Sequence, residues 1–106
     1  ESEKPISFPP LLIDLTAHSV KISGRELGLT VTQFKLLHRL ARRPGRAFSR
    51  DQLLSEVWGY TEDVESRTVD THVKRLRAKL GKVGDWIQTV RGVGYRFRPD
   101  GVEASD

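Results

Sequence analysis

Side chains of the types that contact base edges are concentrated between residues 66 and 97 of this 106-residue chain. Residues 67–79 include five lysines and arginines and a single acid, Asp70. Arginine and lysine donate to guanine O6 and N7 and to phosphate oxygens, and a carboxylate accepts from the amino group of cytosine. These residue types at this density indicate a contact surface for duplex DNA.

An apolar stripe predicts how these side chains are presented. Val69, Val73, Leu76 and Leu80 follow the spacing i, i+4, i+7 and i+11, which places them on one face of an α-helix. The pattern therefore predicts a helix over residues 66–80 with this stripe in the core. The residues on the outward side are Arg67, Thr71, Lys74 and Ala78, flanked by Thr68, Asp70 and Arg75.

Six side chains are candidates for reading bases, five on this helix and one on the hairpin that follows. Arg75 suits guanine, Asp70 suits a cytosine amino group, and the Thr71 methyl group suits the methyl group of thymine. A solvated basic face on a surface helix is the alternative, and the helical wheel alone does not separate the two. The six candidates are Thr68, Asp70, Thr71, Lys74, Arg75 and Arg91.

A glycine-rich turn carries the candidate on the hairpin. The sequence RGVG at residues 91–94 separates two strand-like runs, 86–90 and 95–97. It predicts a tight β-hairpin in which Gly92 and Gly94 both adopt positive φ. An arginine at such a tip can enter the narrow minor groove of A·T-rich DNA, where the negative potential is enhanced. A solvent-exposed turn residue is the alternative for Arg91.

Turn and capping signals indicate the elements that position the helix and the hairpin. Thr30 with Gln33 and Ser49 with Gln52 form capping boxes, so each pair opens a helix, and the first helix ends before the Pro-Gly pair at residues 44–45. The order of a β-meander, three helices and a β-hairpin predicts an α+β fold of the winged helix-turn-helix class. The meander is predicted from four short extended segments, 6–8, 11–15, 20–22 and 26–28.

Composition excludes several classes of protein. The chain lacks cysteine, and His18, His38 and His72 stand at unrelated positions, so we expect no disulfide, no metal site and no cofactor. It has no nucleophile elbow or phosphate loop, which argues against an enzyme. It also has no apolar run near the ~18 residues of a membrane span. The net charge of +4 favours a polyanionic partner. A winged-helix module that binds proteins and no nucleic acid is the competing class.

Charge is arranged in blocks ahead of the third helix. Residues 39–50 hold five arginines and no acid, and residues 51–65 hold five acids and no base. The sequence therefore predicts a basic face and an acidic segment that serve different partners. The arginines at positions 39–46 fit either flanking phosphates or a solvated helix end.

Three stretches resemble one protein family: LTVTQFKLLHRLARRPGRAFSRDQLLSEVWG, ESRTVDTHVKRLRAKLG and IQTVRGVGYRF. Over residues 6–98 the chain is similar to the DNA-binding effector domain of OmpR/PhoB-type bacterial response regulators. The resemblance implies a cytoplasmic, sequence-specific DNA-binding domain with helix 66–80 in the major groove and the wing, 86–98, in the minor groove. It also implies a preceding receiver domain that is absent from this chain, with residues 1–5 as a linker remnant and residues 99–106 as a flexible tail.

The resemblance also implies an assembly and a set of phosphate contacts. Two copies are expected to bind tandem direct repeats head to tail, whereas the isolated domain is expected to be monomeric. In similar proteins the positions that meet the DNA backbone match Trp58, Arg67, Thr68, His72, Arg77 and Tyr95. Charge and hydrogen-bonding capacity add Lys79, Thr89 and the Gly92 N–H. For Trp58, a core position with the indole N–H turned outward is the alternative.

The acidic loop between the second and third helices is the expected second contact surface. In the family this loop touches RNA polymerase, through its σ or α subunit, and its acidity suits a basic patch on that partner. The alternative is a loop whose carboxylates only stabilise the N-terminus of the next helix through the helix dipole. The loop consists of Gly59, Tyr60, Thr61, Glu62, Asp63, Val64 and Glu65.

Overall fold

The N-terminal part of the chain folds into the predicted antiparallel β-meander. The computed structural model of the protein describes residues 4–59 and 65–99. Four strands pair in the order β1-β2-β3-β4, and each begins and ends within one residue of its predicted segment. The strands are β1 (Ile6–Phe8), β2 (Leu11–Asp14), β3 (Ser19–Ile22) and β4 (Arg25–Leu27).

The first helix, α1, spans Val31–Ala41 and begins with the predicted capping box. The Thr30 hydroxyl accepts from the Gln33 N–H at 3.1 Å, and the Gln33 side-chain oxygen accepts from the Thr30 N–H at 3.0 Å. The inward face of the helix is apolar beyond the cap, because Leu36 and Leu37 are fully buried. The capping box therefore fixes where the helix begins, and the leucines fix which face is packed inward.

The second helix, α2, is short and changes its winding before it ends. Its capping box, Ser49 with Gln52, is formed by two hydrogen bonds of 3.0 Å. The α-helical part, Arg50–Leu53, continues as a π-helical turn, Leu54–Trp58. Gly59 then ends the helix with φ near +87°, as its position in the sequence predicts.

The third helix, α3, spans Arg67–Leu80 and presents the predicted apolar stripe to the core. Val69, Val73, Leu76 and Leu80 are each no more than 3% exposed. Because side chains of a helix are fixed about 100° apart, burial of this stripe turns the basic residues of α3 away from the core.

The wing contains one strand more than the predicted hairpin. Strands β6 (Ile87–Val90) and β7 (Gly94–Phe97) form the hairpin, and β5 (Ala47–Ser49) pairs with the other edge of β7. The sheet order is β5-β7-β6, and Phe48, the middle residue of the edge strand β5, is fully buried. Three residues are too few to show the alternation that predicts a strand, so the sequence pattern missed β5.

The connection between α3 and the wing also differs from the prediction. Gly81–Trp86 forms a 3₁₀-helix where the sequence indicated only a polar break. Trp86 belongs to this turn and not to the predicted strand. Its ring lies edge-on to Phe97 with ring centroids 5.9 Å apart, and only 7% of the residue is exposed. Burial of this indole therefore holds the beginning of the wing against the core.

The two glycines of the wing are required for different reasons. Gly92 has φ near +76°, as predicted, but Gly94 does not adopt positive φ, so the prediction for Gly94 was wrong. Gly94 is instead opposite Ser49 in the β5–β7 ladder, where an added Cβ would lie 2.1 Å from the Phe48 carbonyl oxygen. Close approach of two backbones requires glycine there.

We predict that Gly94→Ala lowers the free energy of unfolding by about 1–3 kcal/mol, because β5 and β7 must move apart to admit the methyl group. Gly28→Ala is the matched control, since an added Cβ meets nothing within 4 Å there, and surface changes of this kind stay within about 0.5 kcal/mol. Urea denaturation of both variants measures the difference. Equal stability of the two variants would contradict the close approach.

Candidate nucleic-acid interface

The outward edge of α3 is basic and exposed to solvent. Arg67, Thr71, Lys74 and Arg75 are all exposed. Arg67 lies 3.7 Å from the carboxylate of Glu65, but both side chains are more than 80% exposed, and such a pair contributes little. Lys74 and Arg75 form no ion pair with any residue of the described ranges 4–59 and 65–99. This edge therefore presents three cations and one hydroxyl group, and the described residues neutralise little of its positive charge.

One carboxylate oxygen joins three elements at the side of this edge. Asp70 Oδ1, on α3, accepts from the Tyr95 hydroxyl of β7 at 2.5 Å and from Arg50 Nε of α2 at 3.0 Å. Tyr95 is only 7% exposed, so this end of the contact is shielded from water. We refer to Arg50, Asp70 and Tyr95 as the Asp70 node. It holds the wing, the second helix and the third helix in one arrangement.

Asp70 and Tyr95 were predicted as DNA contacts, and the structure gives both an internal bond. Their contacts with a base and a phosphate stay predictions. Sequence reasoning missed Arg50 altogether, since its partner in the node is 20 residues away and no local pattern joins them. Its place as the first residue of a capped helix was the only available signal, and that signal indicates no partner.

Burial is the main cause of the raised pKa of Tyr95. Burial, then the hydrogen bond to Asp70 and the negative charge of that carboxylate, raise the pKa of the Tyr95 phenol above its ordinary value. The neutral phenol is the form that can donate to Asp70. Its bond to the carboxylate is therefore complete throughout the neutral pH range.

Arg77 ties the base of the wing to α3. Its Nε donates to the Ile87 carbonyl oxygen at 2.9 Å, and its Nη2 donates to the Thr89 hydroxyl at 2.9 Å. The guanidinium carbon also lies 5.6 Å from the centre of the Tyr95 ring, within the range of a cation–π contact. Arg77 thus positions the wing on α3. Its contact with a DNA phosphate stays a prediction.

The opposite flank of α3 is tied to the rest of the domain. His72 Nδ1 lies 3.0 Å from the Thr68 carbonyl oxygen, and its ring meets the half-buried Trp58 edge-on at 5.0 Å. Lys79 Nζ donates to the Gly28 carbonyl oxygen at 2.8 Å and to the Gln33 side chain at 3.2 Å. The Lys79 ammonium group therefore joins α3 to the start of α1, and its predicted phosphate contact is untested.

The wing tip and the start of α2 enclose a cleft beside the node. The cleft has a volume of about 380 Å³. Arg91 and Gly92 are exposed at the turn, and Val93 closes it by donating its N–H to the Val90 carbonyl oxygen at 2.9 Å. The polar groups that line the cleft and were predicted at the wing are Thr89, Arg91, Gly92 and Tyr95, joined by Arg50.

Two further observations concern the described residues only. Of the predicted polymerase loop, Tyr60, Thr61, Glu62, Asp63 and Val64 lie outside them, and Gly59 and Glu65 stand at its two ends. Within 4–59 and 65–99, no helix has the length and apolar character of a membrane span, and no three His, Cys, Asp or Glu side chains converge as metal ligands.

A basic helix edge beside a three-stranded wing defines the class of winged-helix transcriptional output domains. A family model described as "Transcriptional regulatory protein, C terminal" matches residues 24–97. The chain belongs to this family and is an effector domain of the OmpR/PhoB type. The expectation that the sequence resemblance raised is thereby confirmed.

Relatives and solved structures agree with this assignment. The phosphate regulon transcriptional regulatory protein PhoB of Pseudomonas aeruginosa is 46% identical over 98 residues, which cover 92% of this chain and 43% of PhoB. The chain thus spans less than half the length of this curated relative. The RstA DNA-binding domain of Klebsiella pneumoniae, solved with an RstA box, is 38% identical with a TM-score of 0.80 and covers 91% of this chain and 98% of its own. The AdeR DNA-binding domain, solved with an intercistronic region, is 35% identical with a TM-score of 0.78 and covers 89% and 98%.

We predict that Tyr95→Phe lowers the free energy of unfolding by about 1.5 kcal/mol at neutral pH, because the lost hydroxyl donates to a charged group. The raised pKa of Tyr95 gives a second signature. Since the folded chain holds this proton more tightly, the stabilisation is complete below the ordinary pKa of 10.0 and is lost as the pH rises above it. Urea denaturation from about pH 7 to about pH 11 measures both effects. The node is contradicted if Tyr95→Phe and the wild type lose the same stability above that pKa.

Proposed function

We propose that this chain binds double-stranded DNA sequence-specifically, as the output domain of a two-component transcriptional regulator and not as an enzyme. An α-helix fits the major groove, which is about 12 Å wide. Helix α3 lies there with its outward edge on the bases, and the wing places Arg91 in the adjoining minor groove. Because the target is chromosomal DNA, the protein acts in the cytoplasm.

The observation that carries the proposal is the exposed basic edge of α3 held next to the wing tip. Lys74 and Arg75 have no charged partner in the described ranges, so their donors are available to DNA. The Asp70 node fixes the wing to the same helix, so the major-groove and minor-groove contacts have a fixed position relative to each other. The related RstA and AdeR domains were solved in complex with DNA, which supports DNA binding by this chain.

The contacts divide by role. Lys74, Arg75, Thr71, Thr68 and Asp70 are the candidates for base edges in the major groove. Phosphates receive the remaining predicted contacts, which position the domain without reading sequence. Arg50 joins the phosphate set, because it lines the cleft with the wing and is exposed. The phosphate contacts are assigned to the predicted set Trp58, Arg67, His72, Arg77, Lys79, Thr89, Gly92 and Tyr95, and to Arg50.

Selection of bound duplexes from a random pool tests the proposal. We expect a consensus made of two direct repeats, because two copies assemble head to tail on DNA while the free domain is monomeric. Affinity for the selected duplex should fall linearly with the logarithm of salt concentration, since phosphate contacts release counterions. A protein-interaction module, the competing class, predicts no enriched sequence and no salt dependence.

Two variants show which base pairs of the consensus Arg75 and Arg91 contact. Arg75→Ala is expected to relax the preference at one base pair and to cost about 1–3 kcal/mol there. Arg91→Ala is expected to relax the preference at an A·T-rich flank instead. Lys82→Ala, an exposed change in the 3₁₀-helix, is the matched control. Repeating the selection with each variant measures the effect, and a uniform loss over all sequences would reassign that residue to a phosphate.

We further propose that the loop from Gly59 to Glu65 contacts RNA polymerase through its σ or α subunit. The loop carries three acids and no base, and it connects directly to the helix that lies on DNA, so a polymerase bound nearby can reach it. Its acidity suits a basic surface on the polymerase. In the full-length protein this contact would follow DNA binding that the receiver domain controls.

The double substitution Glu62→Ala and Asp63→Ala tests the loop. We expect unchanged affinity for the selected duplex and reduced transcription from a template that carries it, because only the polymerase contact is lost. Asp51→Ala with Asp85→Ala removes the same charge elsewhere and serves as the control. Normal transcription by the loop variant would leave the loop as a helix-capping segment only.

A further inference from the structure

A second basic surface lies apart from the proposed DNA interface. Helix α1, the turn between β2 and β3, and the π-helical turn after α2 enclose a cleft of about 520 Å³. None of its lining residues lies on α3 or the wing, and only Arg39 and Arg42 belong to the arginines for which flanking phosphates were one alternative. The charged and titratable groups of the lining are five basic side chains and one acid, His18, Lys35, His38, Arg39, Arg42 and Glu56. We refer to this site as the α1 cleft.

The α1 cleft has an aromatic floor. Phe34 is 5% exposed, and the His18 ring stacks on it with centroids 4.6 Å apart. The His38 ring lies nearly parallel to Phe34 on the same helix, at 6.3 Å and 8°. His18 holds its position with φ near +53°, a conformation that is uncommon for a residue other than glycine. The turn is thus shaped to keep an imidazole over the ring.

Positive charge in the α1 cleft is only partly neutralised by the described residues. Its one acid, Glu56, is already bonded to Arg39, and Arg39 also stacks on Phe48 at 4.8 Å. Lys35 and Arg42 have no carboxylate partner in the described ranges 4–59 and 65–99.

Two buried nitrogens at the α1 cleft also lack partners. His38 Nε2 and Arg39 Nη1 form no hydrogen bond with any described residue. Buried donors without partners are rare and unfavourable. Burial, and after it the positive charges of Arg42, Arg39 and His18, lower the pKa of His38. An anion bound at the mouth of the cleft would offset the positive charges of Arg42 and Lys35, which are exposed.

We propose that the α1 cleft docks an acidic segment of a partner protein, with carboxylates on Lys35 and Arg42 and an apolar side chain against the exposed His18 ring that covers Phe34. The volume of the cleft lies within the range of about 300–1,000 Å³ that holds a ligand of several side chains, and a single phosphate would leave most of it empty. The half-buried Leu15 extends the apolar floor. A partner held here leaves α3 and the wing free for DNA.

Titration with a short acidic peptide tests the proposal. The probe is the acetylated hexapeptide of sequence EELFEE, and the peptide QQLFQQ is its uncharged control. NMR of the three histidine rings locates the contact, because His18 and His38 line the α1 cleft whereas His72 lies on α3. We expect EELFEE to shift the first two rings and not the third, and QQLFQQ to shift none.

Charge reversal distinguishes peptide binding in the α1 cleft from non-specific attraction to a basic protein. Arg42→Glu is expected to weaken binding of EELFEE by about tenfold, since it places a like charge against the peptide carboxylates. Arg43→Glu is the matched control, because Arg43 is the next residue, is exposed and does not line the cleft. Lys35→Glu provides a second test at another exposed position. The amide NMR spectrum of each variant verifies that it is folded.

Several outcomes would overturn the proposal. They are the absence of any shift with EELFEE, a shift at His72 alone, and equal weakening by Arg42→Glu and Arg43→Glu. Inorganic phosphate that binds the α1 cleft as tightly as EELFEE would assign the site to small anions instead. Selective loss of peptide binding in Arg42→Glu and Lys35→Glu, with duplex binding intact, supports the acidic partner.

Discussion

Burial of the apolar stripe of α3 is the constraint on which the rest of the domain depends. The stripe occupies one narrow sector, so its packing leaves the helix no rotational freedom. With Val73 and Leu76 almost fully buried, Lys74 and Arg75 are turned outward. The four residues of the stripe stabilise the fold and, being buried, are not available to DNA. The helix therefore separates the two tasks by angle, with an anchor on one side and a contact edge on the other.

The wing extends this constraint to a second element. A hairpin alone would move freely relative to α3, but β5 pairs with β7 and the buried Trp86 fixes the beginning of β6. The Asp70 carboxylate and the Arg77 guanidinium then connect the wing to the helix by charge-assisted hydrogen bonds. The wing is held at a fixed distance from α3. Once the helix is bound in one groove, the wing therefore loses little additional conformational freedom when it binds in the other.

Charge is distributed so that the domain can hold more than one partner. The basic edge of α3 faces away from the core next to the wing, whereas the cations of the α1 cleft surround an aromatic floor on another face. Glu56 neutralises Arg39 alone, which leaves Lys35 and Arg42 available. The basic block at residues 39–50 is therefore divided in three dimensions. Arg50 belongs to the Asp70 node, Arg39 and Arg42 belong to the α1 cleft, and Arg43 is simply exposed.

The sequence by itself determined the helices, the meander and the outward edge of α3, since periodicity and capping boxes are local patterns that report local structure. It also determined the family, through motifs that span most of the chain. Only the tertiary structure decided the partners of Asp70, the pairing of β5 with β7 and the close backbone approach at Gly94. Each of these joins residues about 20 or more positions apart. Such contacts depend on how the elements pack, and no spacing along the chain encodes them.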